Sequence, residues 1–348
     1  MIKINNRKIG TDYPPYIIAD LSANHNQSLD RALEIVEKSH EAGIDALKLQ
    51  TYTASCMTLN VKKPNFKISN KTKLWKGEYL YSLYKKAPIP WEWHKPIMQK
   101  CKKLGLTCFS TPFSEKGVDF LENLDVPCYK VASFENIHIP LLKKIAKTKK
   151  PVIISTGMAN VTELGEAIQT LRENGCRDVI LLKCTSTYPA DESESNLRTI
   201  PHMKDLFSCE VGLSDHTLGI GVPLASVALG ATVIEKHITL RRKDGGFDST
   251  FSLEPKEMKS LVIESRRAWK ALGKISYEST KKEQASLQFK RSIYIAKDMR
   301  KGEQFTKKSL KVIRPGFGLA PKYYEHVLGK KISRNVSKGT PLKWEYVN

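Results

Sequence analysis

The chain has 348 residues, 41% hydrophobic and 27% charged, with a formal net charge of +21. That length suits one barrel of typical size plus a small extra domain, and the composition excludes a disordered or fibrous chain. MIKINNRKIG carries no apolar run that would serve as a signal peptide. The longest apolar stretch, Val222 to Ile234, is broken by Pro223, Ser226, Gly230 and Thr232 and is too short to span a bilayer.

Seven cysteines, an odd number with no CxxC pair, point to reduced thiols, a cytoplasmic setting and no structural zinc. The positive charge is scattered in pairs such as Lys62-Lys63, Lys85-Lys86 and Lys102-Lys103, with no block of five like charges. That pattern favours a solubilising surface over a specific nucleic-acid or membrane partner.

Residues 1–15 precede the first apolar run and are expected to form a hairpin or plug under a barrel. Eight short β-branched runs then follow: Tyr16–Ser22, Ala46–Tyr52, Thr107–Pro112, Cys128–Ser133, Val152–Gly157, Val179–Ser186, Glu210–Asp215 and Thr232–Leu240. Each leads into a helical stretch. Leu29, Ala32, Leu33, Val36 and His40 carry helical spacing that ends near Gly43. Further helices are expected at about 91–104, 115–124, 138–147, 161–174, 219–229 and 255–271. Tyr188 to Phe207 reads as loop with one short helix. The connection Thr53 to Ala87, with Asn65, Phe66, Trp75 and Tyr79, is long enough to be a lid or a peripheral insertion. Eight strand–helix units in series predict a closed (β/α)8 TIM barrel over 1–275. A polar linker over 276–290 and a small all-β domain over 291–348 complete the chain. A β domain of that size is marginal alone and is expected to pack on a partner surface.

In such a barrel the active site lies where the strands end. Those ends carry Asp20, Lys48 and Gln50, Thr111, Lys130 and Ser133, Ser155, Ser186 and Tyr188, Ser214 and His216, and His237. Polar groups at all eight ends indicate one shared site. His216 and His237 end adjacent strands and suit a divalent cation such as Mn²⁺, Fe²⁺ or Zn²⁺; two core histidines bonded to backbone are the alternative. Lys48 and Lys130 in apolar strands need an anion, either a phosphate or a structural carboxylate, and a Schiff-base role stays open. Asp20 is either a general acid or base or the partner that holds Lys48.

Ten segments in order, IADLSANHNQ, ALKLQTY, PWEWH, FSTPF, YKVASFE, IISTGMA, LLKCTSTYPA, VGLSDHTLG, EKHITL and GGFDSTFSLEP, resemble the sialic acid synthases. The tail SIYIAKDMRKGEQF…VIRPGFGLAP resembles their C-terminal SAF (antifreeze-like) domain. LSANH, PWEWH and KCTSTYPA look closest to the pseudaminic acid synthase branch. N-acetylneuraminate or legionaminate synthesis is the nearer rival, and a non-catalytic polyanion-binding barrel the more distant one.

The resemblance implies condensation of phosphoenolpyruvate with an N-acetylated amino-sugar aldehyde, which in that branch is 2,4-diacetamido-2,4,6-trideoxy-L-altrose. It assigns Lys48, Gln50, Thr111, Lys130, Ser133, Ser155 and Ser214 to phosphoenolpyruvate. It assigns His216 and His237 to a divalent metal, usually Mn²⁺, with Mg²⁺ or Co²⁺ as alternatives. Ser186, Tyr188 and Asp248 match sugar-side positions. Arg314 matches an arginine that reaches the partner subunit's site in a swapped homodimer. One departure stands out: the family carries Glu where this chain has Asp20. The reach shortens by about 1.5 Å, one carbon–carbon bond, a displacement large enough to matter in catalysis.

Overall fold

The computed structural model describes residues 2–68 and 76–348. The chain folds into two compact units, Met1–Gly273 and Lys274–Asn348. The first begins with an antiparallel hairpin of β1 (Ile2–Ile4) and β2 (Arg7–Ile9). Eight parallel strands then close a barrel: β3 (Tyr16–Asp20), β4 (Ala46–Thr51), β5 (Thr107–Pro112), β6 (Tyr129–Val131), β7 (Val152–Ser155), β8 (Val179–Cys184), β9 (Glu210–Asp215) and β10 (Val233–His237). β10 pairs with β3, His237 opposite Asp20, and so closes the ring.

These strands read as nearly continuous apolar runs because both of their faces are buried, one by the barrel interior and one by helices. Ile17, Leu47, Leu49, Ile234 and Ile238 pack with Ile35, Val36, Ile97, Leu261 and Val262 of the surrounding helices. A second cluster joins Val131, Ile153, Ile154 and Leu181 to Leu141, Leu142, Ile168 and Leu171. The helix Leu29–Ala42 starts where the Ser28 side chain accepts from Arg31 N and stops at Gly43. Gly43 stands at φ 83°, a left-handed conformation that glycine adopts without a Cβ clash.

The expected helices are present. The Tyr188–Phe207 connection holds a 3₁₀ turn at Glu192–Glu194 and the helix Thr199–Phe207. Within the long connection after β4, Ala54–Met57 and Leu80–Lys86 are helical and Pro64–Phe66 forms a 3₁₀ turn. Trp75 lies outside the described residues. In the second unit β11 (Ser292–Ile295) and β12 (Leu310–Ile313) pair antiparallel. Isolated bridges such as Met299–Val336 and Ile332–Val347 supply the remaining sheet contacts. Ile293, Phe305, Leu310, Ile332 and Leu342 form its core. Glu283–Phe289, inside the stretch expected to be linker, is a 3₁₀ helix, and Gly316 N donates to Gln288 O. Among the described residues no helix is long and apolar enough to cross a membrane.

Candidate active site

Alternation along each strand turns every second side chain into the barrel. The inward set at the carboxyl ends includes Asp20, Lys48, Gln50, Thr111, Lys130, Ser155, Ser214, Glu235 and His237. Lys48 Nζ lies 2.8 Å from Asp20 Oδ2 and 3.0 Å from Glu235 Oε1. Lys130 Nζ donates to Ser155 Oγ at 2.6 Å and to Val131 O at 2.8 Å, and stands 3.9 Å from Glu235 Oε1. Ser214 Oγ donates to the same Glu235 oxygen at 3.1 Å. Gln50 Nε2 reaches Asp20 Oδ2 at 3.3 Å. Two lysines and two carboxylates are thus buried together, and one glutamate oxygen accepts from Lys48 and Ser214 and faces the Lys130 cation at 3.9 Å.

Three polar atoms in this ring are buried without partners, Thr111 Oγ1, Glu235 Oε2 and His237 Nδ1. A buried hydroxyl left unbonded is costly and marks a donor awaiting an acceptor. Ser133 Oγ accepts from Gly157 N at 3.2 Å. Only glycine fits at 157: a Cβ there would stand 2.1 Å from Ser186 Oγ and 2.6 Å from Ser133 Oγ. Gly157 therefore lets both serines approach one backbone turn.

The environments push neighbouring pKa values apart. Burial raises Glu235, but the adjacent Lys130 and Lys48 outweigh it and hold the carboxyl at about 2. Burial raises Asp20 above the usual carboxylate range against the pull of Lys48. Burial also pushes Lys130 down to about 8, against the attraction of Glu235. Lys48 stays above its ordinary value, because Asp20 and Glu235 overcome the cost of burial.

His216 and His237 have ring centroids 5.3 Å apart. His216 Nδ1 lies 3.0 Å from Thr185 O. A carbonyl only accepts, so Nδ1 carries the proton and Nε2 offers the lone pair. His237 Nε2 is 3.5 Å from Asp20 Oδ2, and Nδ1 is buried with no hydrogen-bond partner, 3.9 Å from Asp248 Oδ2. Burial pushes His237 down to about 3, so the ring is neutral. Burial lowers His216, but Cys184 and the Thr185 carbonyl hold it above its ordinary value. That ring must therefore give up its proton before it shares a borderline divalent cation with the neutral His237 and its orphaned nitrogen. Among the described residues no three His, Cys, Asp or Glu side chains form a complete ligand set, so water and substrate oxygens would supply the rest.

Tyr188 and Phe251 line the same corner, Tyr188 4.6 Å from the His216 ring and Phe251 4.9 Å from the His237 ring. Asp248 accepts from Ser22 Oγ at 2.5 Å. Ser186 sits 3.5 Å from Cys184 Sγ. Of the residues singled out in the sequence, the barrel brings together all but Arg314. That residue is exposed in the second unit, just after β12.

Three groups escaped the sequence reading. Glu235 is the most central of them. Glu135, in the turn after β6, has a buried unpartnered oxygen, and burial lifts its carboxyl to about 7 against the pull of Lys130. Cys184 lies 3.8 Å from His216 Nδ1; burial raises its thiol, but His216 brings it down to about 6. A cavity of about 870 Å³ at the opposite end of the barrel, lined by Arg7, Tyr16, Asp45 and Thr107, contains none of these side chains.

The NeuB family model matches residues 35–277, and the SAF domain model matches 290–347. A pseudaminic acid synthase of Campylobacter jejuni subsp. jejuni serotype O:2 is 44% identical over 333 residues, covering 96% of this chain and 96% of that relative. An N,N'-diacetyllegionaminic acid synthase of the same organism is 38% identical, covering 92% and 96%. The crystal structure of an N-acetylneuraminic acid synthetase from Leptospira borgpetersenii serovar Hardjo-bovis in complex with citrate superposes with a TM-score of 0.73 at 32% identity. It covers 83% of this chain and 95% of that one. The chain belongs to the NeuB family, a phosphoenolpyruvate-dependent (β/α)8 barrel followed by a SAF domain.

Proposed function

We propose that this chain is a pseudaminic acid synthase, condensing phosphoenolpyruvate with 2,4-diacetamido-2,4,6-trideoxy-L-altrose to give pseudaminic acid and phosphate. The observation that carries the reading is the buried ring of Lys48, Lys130, Asp20 and Glu235 beside His216 and His237. The choice of sugar rests on relatives: 44% identity to a chain named for pseudaminic acid, against 38% to one named for diacetyllegionaminic acid.

Lys48 and Lys130 supply cations for the phosphate and carboxylate, and Ser133, Ser155, Ser214 and the unbonded hydroxyl of Thr111 supply neutral donors. Carbon 3 of the enolpyruvate attacks carbon 1 of the open-chain sugar, forming the new C–C bond. Water adds at carbon 2, and the tetrahedral intermediate expels phosphate by cleavage of its C–O bond. Asp20, held by Lys48 and Gln50, takes the proton of that water at Oδ2. A divalent cation held by His216 and His237, Mn²⁺ in our reading, would supply Lewis-acid polarisation of the aldehyde. Ser186, Tyr188 and Asp248 form the sugar side, and Arg314 serves the partner's barrel in a homodimer.

The test is phosphate release from phosphoenolpyruvate with Mn²⁺ and, separately, three sugars: the diacetamido-trideoxy-altrose, N-acetylmannosamine and the legionaminic acid precursor. Release with the altrose sugar alone is expected. Release with another sugar keeps the reaction and overturns the branch; silence with all three overturns both.

The lysine pair sets a pH dependence. Lys130 must be charged to hold the anion, and in the free protein it loses its proton above about pH 8. A bound anion raises that pKa, so binding is fully present below about pH 8 and weakens as pH rises through it. The kcat/KM for phosphoenolpyruvate is expected to fall about tenfold per unit on the alkaline limb. Lys130→Arg, always charged, is expected to flatten that limb. A wild-type profile level to pH 9.5 would contradict the role given to Lys130.

A further inference from the structure

Behind the two histidines, on the wall that faces the helices, a second charged pair is buried. The strand register sets Lys236 directly beside Asp215. Lys236 stands between Glu235 and His237, and Asp215 between Ser214 and His216, so alternation turns both away from the cavity. Lys236 is 0% exposed and Asp215 3%. Lys236 Nζ donates to Asp215 Oδ2 and, at 2.6 Å, to the Thr217 carbonyl. Asp215 accepts from Thr217 N at 3.1 Å and from Thr217 Oγ1 at 3.0 Å. His216, between Asp215 and Thr217, is therefore fixed from both flanks. Its own carbonyl accepts from Ala190 N at 3.0 Å.

Stability does not account for this arrangement. Leu213, Ile234 and Ile238 make the same wall apolar. Replacing a buried ion pair by well-packed apolar residues is often neutral or stabilising, by about 1–4 kcal/mol. What the pair adds is geometry. It ties the end of β9 to the end of β10 at the level where His216 and His237 project from the other face. Through Thr217 it also fixes the turn that follows His216.

We propose that Asp215 and Lys236 are positioning residues whose ion pair, closed through Thr217, sets the spacing and aim of His216 and His237 for one divalent cation. The inference rests on the metal reading of the two histidines. Groups behind a metal's ligands change its affinity by about 10–100-fold when removed.

The experiment titrates the full chain, stripped of metal by chelation, with Mn²⁺ and follows the paramagnetic resonance signal of the free ion. The D215N/K236M double variant removes both charges and leaves neither one unpaired. Its Mn²⁺ affinity is expected to drop about 10–100-fold. Its phosphoenolpyruvate affinity, measured by calorimetry, should stay within about threefold, because Lys48 and Lys130 project from the opposite face. Mn²⁺ affinity within about threefold of wild type would overturn the inference. An equal fall in phosphoenolpyruvate affinity would also overturn it, since that reports general loosening of the barrel. Thr217→Val keeps the ion pair and deletes one hydroxyl donor, and a loss of about three- to tenfold in Mn²⁺ affinity is expected. If the double variant does not fold, unchanged Mn²⁺ affinity in Thr217→Val decides against the proposal. A wild-type chain that binds no Mn²⁺ overturns the metal reading and this inference with it.

Discussion

Replacing His237 with alanine is expected to remove metal-dependent turnover while leaving the barrel folded. His237 is the last residue of β10, and its ring meets Asp20, the His216 ring and Phe251. Removing it deletes one of the two imidazoles offered to the cation. Polarisation of a carbonyl by a metal supplies several kcal/mol of transition-state stabilisation, so a loss of about 4 kcal/mol, roughly a thousandfold in rate, is the minimum expected. The fold should tolerate the change. Nδ1 is already an unpaired buried polar atom, so alanine removes an unsatisfied group along with some packing, a cost of about 1–2 kcal/mol. Phosphate release at saturating Mn²⁺, beside a thermal melt, separates the two effects. Turnover equal to wild type with added metal would refute the ligand role.

The barrel was legible because a parallel strand covered on both faces leaves a plain trace: a short apolar run ended by polar residues, eight times over. The site was legible only in part. In Glu235-Lys236-His237 the histidine attracted notice and the glutamate did not. Period-two alternation puts Glu235 on the same inward face as His237 and sends Lys236 outward, and that signal would have found it. Glu135 is different. It lies in a 3₁₀ turn after a three-residue strand, where no period says which way a side chain faces. Asp20 was read as either catalytic or a brace for Lys48. The geometry shows a brace, with Oδ2 2.8 Å from Lys48 Nζ, and proximity to His237 keeps a proton-transfer role available to the same oxygen. The small domain read as all-β, short strands separated by turn signals. Its backbone pairs through the four-residue β11–β12 ladder and four isolated bridges, and KDMRKGEQF contributes the buried Met299 and Phe305 without forming a strand of its own.

Substituting Glu235 with glutamine is expected to destabilise the fold and to do so in a pH-dependent way. Glu235 Oε1 is shared by Lys48, Lys130 and Ser214, all buried. Removing one partner of a buried charge cluster costs about 3–5 kcal/mol, since uncompensated cations remain. Lys48 keeps Asp20 at 2.8 Å, so the heavier loss falls on Lys130. Lys130 has an escape. Burial already holds it at about 8, and without the glutamate it drops further, so it sheds its proton at a lower pH than in the wild type. The sign follows from linkage. A lysine whose folded pKa is depressed takes stability from the fold while charged and ceases to do so as pH rises through that pKa. Wild type therefore gains stability from Lys130 only above about pH 8, whereas Glu235→Gln gains it from a lower pH upward. The gap between the two proteins in urea denaturation should be widest near pH 7 and should narrow by pH 9, where Lys130 is neutral in both. What persists at pH 9 is the Lys48 share. A gap that stays constant from pH 7 to pH 9 would mean that Lys130 does not depend on Glu235, and the shared-oxygen account of the ring would fail.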